Sequence, residues 1–507
     1  MKTILIFIIL VISFQLHAQD KRGNTWVCGN WAMTATFTDT SKPVLGQLFN
    51  GPGNGGAFLT STSNICDSAT GKLLFMCNGA RIWDTLGNIM ENGDSVIPTK
   101  LYKHSNPPIG QCTQGSLILP KGSNGLYYLF TPTMTDSMYD YWITNPLGDN
   151  RAPFDLFTYH IIDMNANGGM GKVIQKNIRL LENAAMAKVG MMACRHANGY
   201  DWWLIKQGFD TNKVFTFLVT KDTVELKHVQ TFAVPKFGLY DLLGQACFST
   251  DGSKYAFATG GVNSNGAQLY IADFDRCTGI LSNTKIVNVP VENTNEPYLE
   301  NIGRKDSAII GLCFSPNDSF LYINKSFNVY QFEYNNPDSS QAWYRVHRYD
   351  TLAEYLLFGQ MQLGIDGRIY MGKFSGNEKH NNVINKPNIK GAGCAYCQFC
   401  MDFSFLNNVA STSPPNMPDF NLGPKPGPCW PLTTPSIEKN REALFVYPNP
   451  SHTTFYFKNK TGQRKYLYNT LGQLIRSTQT NEMDIRGVHP GVYYVQCDGE
   501  TRKVIVE

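Results

Sequence analysis

From about residue 20 to 430 the chain repeats one arrangement of polar and apolar positions. A turn carrying Gly, Asp or Asn is followed at once by a short run rich in aromatic and branched apolar residues. Gly71-Lys72-Leu73-Leu74-Phe75, Asn124-Gly125-Leu126-Tyr127-Tyr128 and Gly199-Tyr200-Asp201-Trp202-Trp203 are three instances; Gly252, Ser319 and Gly367 mark three more. Such runs suit strands, because aromatic and β-branched side chains fit a pleated surface and Gly and Asn close tight turns. Counted from Gly71 through Gly125, Gly199, Gly252 and Ser319 to Gly367, the steps are 54, 74, 53, 67 and 48 residues. A second alternating run follows each turn, as in Lys213-Val214-Phe215-Thr216-Phe217-Leu218-Val219, and supplies outer strands. A period near 50 residues with four strands per unit predicts a β-propeller, and about 410 residues make about seven blades. An array of β-sandwiches explains the hairpins but not the recurrence of one hairpin type.

The same segments carry a resemblance. Gly71-Lys72-Leu73-Leu74-Phe75 with Ile82-Trp83-Asp84, Thr113-Gln114-Gly115, Phe314-Ser315-Pro316 and Gly359-Gln360-Met361-Gln362-Leu363 with Asp366-Gly367-Arg368 are similar to secreted propellers of the Bacteroidetes. That resemblance implies fold and says nothing of activity.

Past a Pro/Thr/Ser-containing linker (431–445), residues 446–507 form strands of four to seven residues between Asn, Gly and Pro turns, which predicts a small immunoglobulin-like antiparallel sandwich. Its landmarks are Tyr447-Pro448-Asn449-Pro450, a hairpin closing on Gly472, a hairpin opening on Gly491, and the ending Lys503-Val504-Ile505-Val506. In order and spacing these resemble the type A sorting domain of the type IX secretion system. The resemblance implies passage across the outer membrane directed by 446–507, removal of that segment, and delivery of the remainder to the cell surface or medium, with the secretion machinery as partner.

The N-terminus agrees with export. Lys2, the apolar run from Ile4 to Ile12 and the small residue Ala18 read as a signal peptide spanning 1–18. That run is shorter than the ~20 residues needed to span a bilayer, so no transmembrane segment is expected in the mature chain. Net charge is +4, but the Lys/Arg surplus sits in 446–507, and residues 19–445 hold 35 charges of each sign. A neutral propeller lacks the basic footprint that nucleic acid requires.

Thirteen cysteines in an exported chain favour disulfides over metal thiolates. Cys394, Cys397, Cys400 and Cys429, with Cys28, are expected to fasten the seam between first and last blades. No metal or cofactor is expected.

No G-x-S-x-G, H-E-x-x-H or phosphate-loop pattern occurs, so catalysis has no local signature. Tyr139, Tyr141 and Trp142 beside Asn145, Pro146, Gly148, Asp149 and Asn150 lie outside the strand pattern and are expected to present aromatics on a loop for a glycan or protein. His196, beside Arg195 and near Asp201, is the most suggestive histidine. The expectation is a binding propeller; the alternative is a hydrolase or lyase acting on a polysaccharide or lactone at the central funnel. A funnel with two carboxylates and a histidine favours the enzyme, and one lined by small and apolar groups favours binding.

Overall fold

The computed structural model describes residues 19–429 and 444–507, apart from 39–41, 50–56, 59–60, 145–151, 210–211, 233–243, 260–268, 291–308, 326–327, 349–357, 374–378, 407–412, 459–460, 498–499 and the single positions 31, 107, 111, 339, 426, 428 and 471. The expected signal peptide, residues 431–443 of the expected linker and the polar positions Asn145, Pro146, Gly148, Asp149 and Asn150 lie outside the described residues. The chain divides into two compact units, Met1–Cys429 and Trp430–Glu507.

The strands of the first unit sort into seven radial blades. Blade 1 holds Thr25–Asn30, Met33–Thr36, Val44–Gln47 and Ala57–Phe58, and blade 2 holds Ser63–Cys66, Leu73–Cys77 and Ile82–Trp83. Blades 3 and 4 share one long strand, Lys172–Arg195. Its first part pairs with Phe154–Asp163 as the outer edge of blade 3, and its end pairs with Trp202–Gly208 as the innermost strand of blade 4. Burial follows this division: 172–185 are mostly half-buried or exposed, and 186–195 are buried throughout. Where the strand turns inward, Gly190 has φ +76°, and a Cβ there would lie 2.4 Å from the Phe257 ring. Blades 5, 6 and 7 begin at Gly244–Phe248, Ile309–Phe314 and Phe358–Leu363, each with four strands in meander order.

Side-chain alternation explains why the inner strands are apolar on both faces. Leu312 and Phe314 join the cluster shared with blade 5, while Cys313 between them joins the cluster shared with blade 7. Trp202 and Trp203 split between two clusters in the same way. A blade therefore has no core of its own, and its apolar surface is covered only by its neighbours.

All six turns singled out by periodicity fall in the innermost hairpin of blades 2 to 7. Gly71, Gly125, Gly199, Gly252 and Gly367 have φ between +71° and +80°; in blade 6 the left-handed position is Asp318, one residue before Ser319. Blade 1 escaped the count because its inner strands are joined at Ala32, which takes the left-handed conformation without a glycine.

The cysteines meet the expectation in part: Cys397, Cys400 and Cys429 form disulfides, but these bonds do not fasten the seam. Thr25–Cys28 pairs with Met33–Thr36 inside blade 1, and Trp26 and Phe37 pack edge-on against Tyr370 of blade 7, so aromatic packing makes the seam. Cys28 and Cys394 are buried thiols, Cys397 bonds Cys400 within the outer strand of blade 7, and Cys429 bonds Cys277 of blade 5. Cys28 and Cys394 are buried in apolar clusters and belong to neither disulfide.

The second unit is a sandwich of a three-stranded sheet (Phe445–Tyr447, Thr454–Lys458, Glu482–Asp484) and a four-stranded sheet (Lys465–Asn469, Leu474–Thr478, Gly491–Cys497, Glu500–Val506). Phe455, Phe457, Leu467, Val495 and Val504 fill it. Asn449 accepts from the Ile505 N–H (2.8 Å) and donates to the Lys503 carbonyl (3.0 Å), which ties the Tyr447-Pro448-Asn449-Pro450 turn to the last strand. Gly472 takes φ +77° in the turn that Asn469 and Gln473 close, and Gly491 begins the strand leading to Cys497.

Candidate functional site: the central funnel

Inner strands of a propeller converge on an axial channel, and here the chain itself occupies part of it. After blade 7, residues 413–418 run buried. Asn416 donates from its backbone to Thr62 O (2.8 Å) and from Nδ2 to Ser116 O (3.0 Å) and Met191 O (3.1 Å), so it touches blades 2, 3 and 4. Its Oδ1 accepts from Gln114 Nε2 (3.2 Å), and Gln114 in turn pairs with both backbone groups of Ala246 in blade 5. Further along, Arg195 Nη2 donates to Phe420 O (3.0 Å), Arg276 Nη2 donates to Gly423 O, and Lys425 N–H donates to Ala197 O (3.0 Å). The Cys277–Cys429 disulfide ends this plug.

Beside the plug remains a cavity of about 980 Å³, bounded by Trp26 of blade 1, the inner strands of blades 4 to 7, and 417–424. Turns of the inner hairpins, among them Asn198–Tyr200, Ser249–Thr250 and Gly364–Gly367, form its rim. Tyr200 is 80% exposed there. The wall carries two arginines, Arg22 and Arg195, and two carboxylates, Asp20 and Asp419; no histidine is among its described residues. Arg22 is ion-paired with Asp20. Burial weakens the Arg195 guanidinium, lowering its pKa to about 10, and it lies over the Trp202 ring at 4.0 Å. Asp419 is open to the cavity yet ringed by protein, and this enclosure raises its carboxyl above the usual range, opposed by the Asn421 N–H and Arg195.

His196 lies behind the rim. Its Nδ1 accepts from the Asn198 N–H (3.0 Å) and its ring tilts against Trp203 at 5.3 Å, while Asp201 accepts from Asn198. Sequence neighbours thus separate, with Arg195 holding the plug and His196 packing outward. Tyr139, Tyr141 and Trp142 belong to an α-helix, Asp136–Thr144, rather than a loop. The helix divides them. Tyr139 and Trp142 pack against His104, with ring centroids 5.9 and 4.7 Å away, whereas Tyr141 is 58% exposed. Asp419 and Asn416 were missed because their segment carries no strand pattern, and Gln362 because it sits in a strand like its neighbours; the Asn and Asp between the prolines of 414–418 and beyond were the available signal.

Among the described residues no group of three or more His, Cys, Asp and Glu is placed to hold a metal, and no helix is long and apolar enough to cross a membrane.

Residues 445–507 match the family model of the secretion system C-terminal sorting domain. No curated protein matches the chain. Among solved structures, a protein from Lactobacillus plantarum is similar at 9% identity over 83% of this chain and 95% of that one (TM-score 0.35). Hydrazine synthase of Kuenenia stuttgartiensis is similar at 11% over 73% and 98% (TM-score 0.34). The β-propeller domain of Cps50 (Swd1) from Myceliophteria thermophila is similar at 8% over 78% and 96% (TM-score 0.29). At such values none bears on what this chain binds. The sorting domain makes this a propeller protein secreted by the type IX system, to the cell surface or beyond.

Proposed function

We propose that the propeller is an extracellular binding module that takes a glycan or protein ligand at the mouth of its plugged funnel, without turnover. The observation that carries this reading is the cavity of about 980 Å³ whose wall is completed by the plug. That size lies at the upper end of pockets that enclose small ligands, roughly 300–1,000 Å³. Several of its charged groups already serve the fold: Arg195 holds the plug and Arg22 holds Asp20. The hydrolase or lyase reading lacks a histidine base in the described wall and has one of its two carboxylates paired.

The propeller reaches its place of action by export through the inner membrane, passage directed by 446–507, and loss of that unit. Glycan and peptide arrays probed with the full chain and with a Leu363→Trp variant, which puts an indole into the cavity wall, test the binding reading. Ligand retained by the parent and lost by the variant supports it; retention by both sinks it. For the address, a chain lacking 446–507 should remain in the periplasm of a host with the type IX machinery, and its arrival at the surface would refute the assignment.

A further inference from the structure

Sorting the polar groups of the cavity wall by what already holds them narrows the ligand. Arg22 is paired with Asp20, and Arg195 gives Nη1 and Nη2 to the carbonyls of Gly199 and Phe420. The hydroxyls of Ser249 and Thr250 bind Asp251 and Asp318. Asn198 bonds Asp201 and the following turn, and Asn421 bonds the backbone of Asp20. Besides the exposed Gln19 amide and Tyr200 hydroxyl, two groups stay available. Asp419, on the plug, accepts the Asn421 N–H at Oδ1 (2.8 Å), also has the Leu422 N–H beside its carboxylate, and is exposed at the cavity. Gln362, half-buried on the innermost strand of blade 7, makes no side-chain hydrogen bond among the described residues. The rest of the wall is apolar at Trp26, Phe314, Leu363 and Ile365.

The committed groups include both arginines, and the available ones are an acceptor-only carboxylate together with carboxamides and a phenol hydroxyl that both donate and accept. An anionic ligand would set its charge against Asp419, while Arg22 is paired with Asp20 and Arg195 is bonded to backbone carbonyls. Hydroxyls suit the set, because they donate to a carboxylate in a charge-assisted bond and accept from an amide, while C–H faces cover apolar wall. The plug is bonded to blades 2, 3 and 4 inside the channel, which favours entry of a polymer by its end.

We propose that the cavity recognises the terminal residues of a neutral saccharide, with Asp419 and Gln362 as the specificity-determining partners of its hydroxyls; this rests on the funnel-binding reading. The test uses the full chain and immobilised oligosaccharides ending in glucose, galactose, mannose or N-acetylglucosamine, each beside counterparts ending in the matching uronic acid or amino sugar. At least one neutral terminus should be retained at least tenfold better than its uronic acid. Asp419→Asn and Gln362→Leu should each weaken that binding at least tenfold at an unchanged melting temperature. Preference for uronic acids or amines, unchanged binding by both variants, or no saccharide retained overturns the inference. Leu363→Trp, with Ile365→Trp as a second filler should the first misfold, separates the two levels. Peptide binding lost in a folded filler variant keeps the funnel reading and rejects the saccharide; saccharide binding that survives in it rejects the funnel itself.

Discussion

The centre of the propeller and the C-terminal sandwich use the same residue type, a side-chain amide bonded to backbone, at very different stakes. In the sandwich, Asn449 ties a turn to a strand edge already held by its ladder, and it does so in contact with water. In the propeller, inner strands of neighbouring blades splay from the axis and are not hydrogen-bonded ladder partners. Buried amides bridge them instead. Asn64 pairs with Thr25 O and Val27 N–H of blade 1, and Gln245 of blade 5 accepts from Leu312 and Met361 N–H while donating to Met361 O (2.6 Å). Closed-ring geometry leaves backbone groups at the axis that only a reaching side chain satisfies, and an unsatisfied buried group is costly.

Breaking the largest such link should hurt most. Asn416→Leu strands the carbonyls of Ser116 and Met191 and removes a partner of Gln114. At about 1–3 kcal/mol per stranded group, the loss should be about 3–4 kcal/mol in denaturant unfolding, and a loss below about 1 kcal/mol would show that the plug is an ornament of the channel. Cys277→Ser releases the plug end from a bridge spanning 152 residues. A native disulfide contributes about 2–4 kcal/mol, so thermal melting should fall and amides of 413–425 should exchange faster; unchanged exchange would mean the hydrogen bonds alone retain the plug.

A third prediction uses acid. His160 is buried, its Nδ1 accepts from the Asn177 N–H and its Nε2 bonds Thr131 Oγ1, and burial lowers its pKa to about 3. Its folded pKa lies below the ordinary 6.5, so the unfolded chain binds the proton first; stability is intact above about pH 6.5 and falls as pH drops toward about 3. The slope is about 1.4 kcal/mol per pH unit for this residue. His160→Gln should flatten the acid limb between pH 6 and 4, and an unchanged limb would assign acid sensitivity elsewhere. Smallest is Asn449→Ala, expected to cost about 0.5–1.5 kcal/mol in the sandwich; a loss matching that of Asn416→Leu would erase the contrast between the two regions.

The sequence by itself determined the repeated hairpin, a propeller of about seven blades and the C-terminal sandwich, because each is written in local chemistry. Left-handed turns at Gly71, Gly125, Gly199, Gly252 and Gly367 need glycine, and alternating runs need only their own pleat. Only the tertiary structure decided the rest. That Cys429 reaches Cys277, that Asn416 meets three blades, that Tyr139 and Trp142 turn inward while Tyr141 faces water, and that Asp419 stands open in a cavity all depend on ring closure. Closure brings together residues hundreds of positions apart, and no local period records such a meeting. The plug shows the difference most plainly: its extended, proline-containing segment makes no strand pattern, and the channel that receives it exists only once all seven blades are in place.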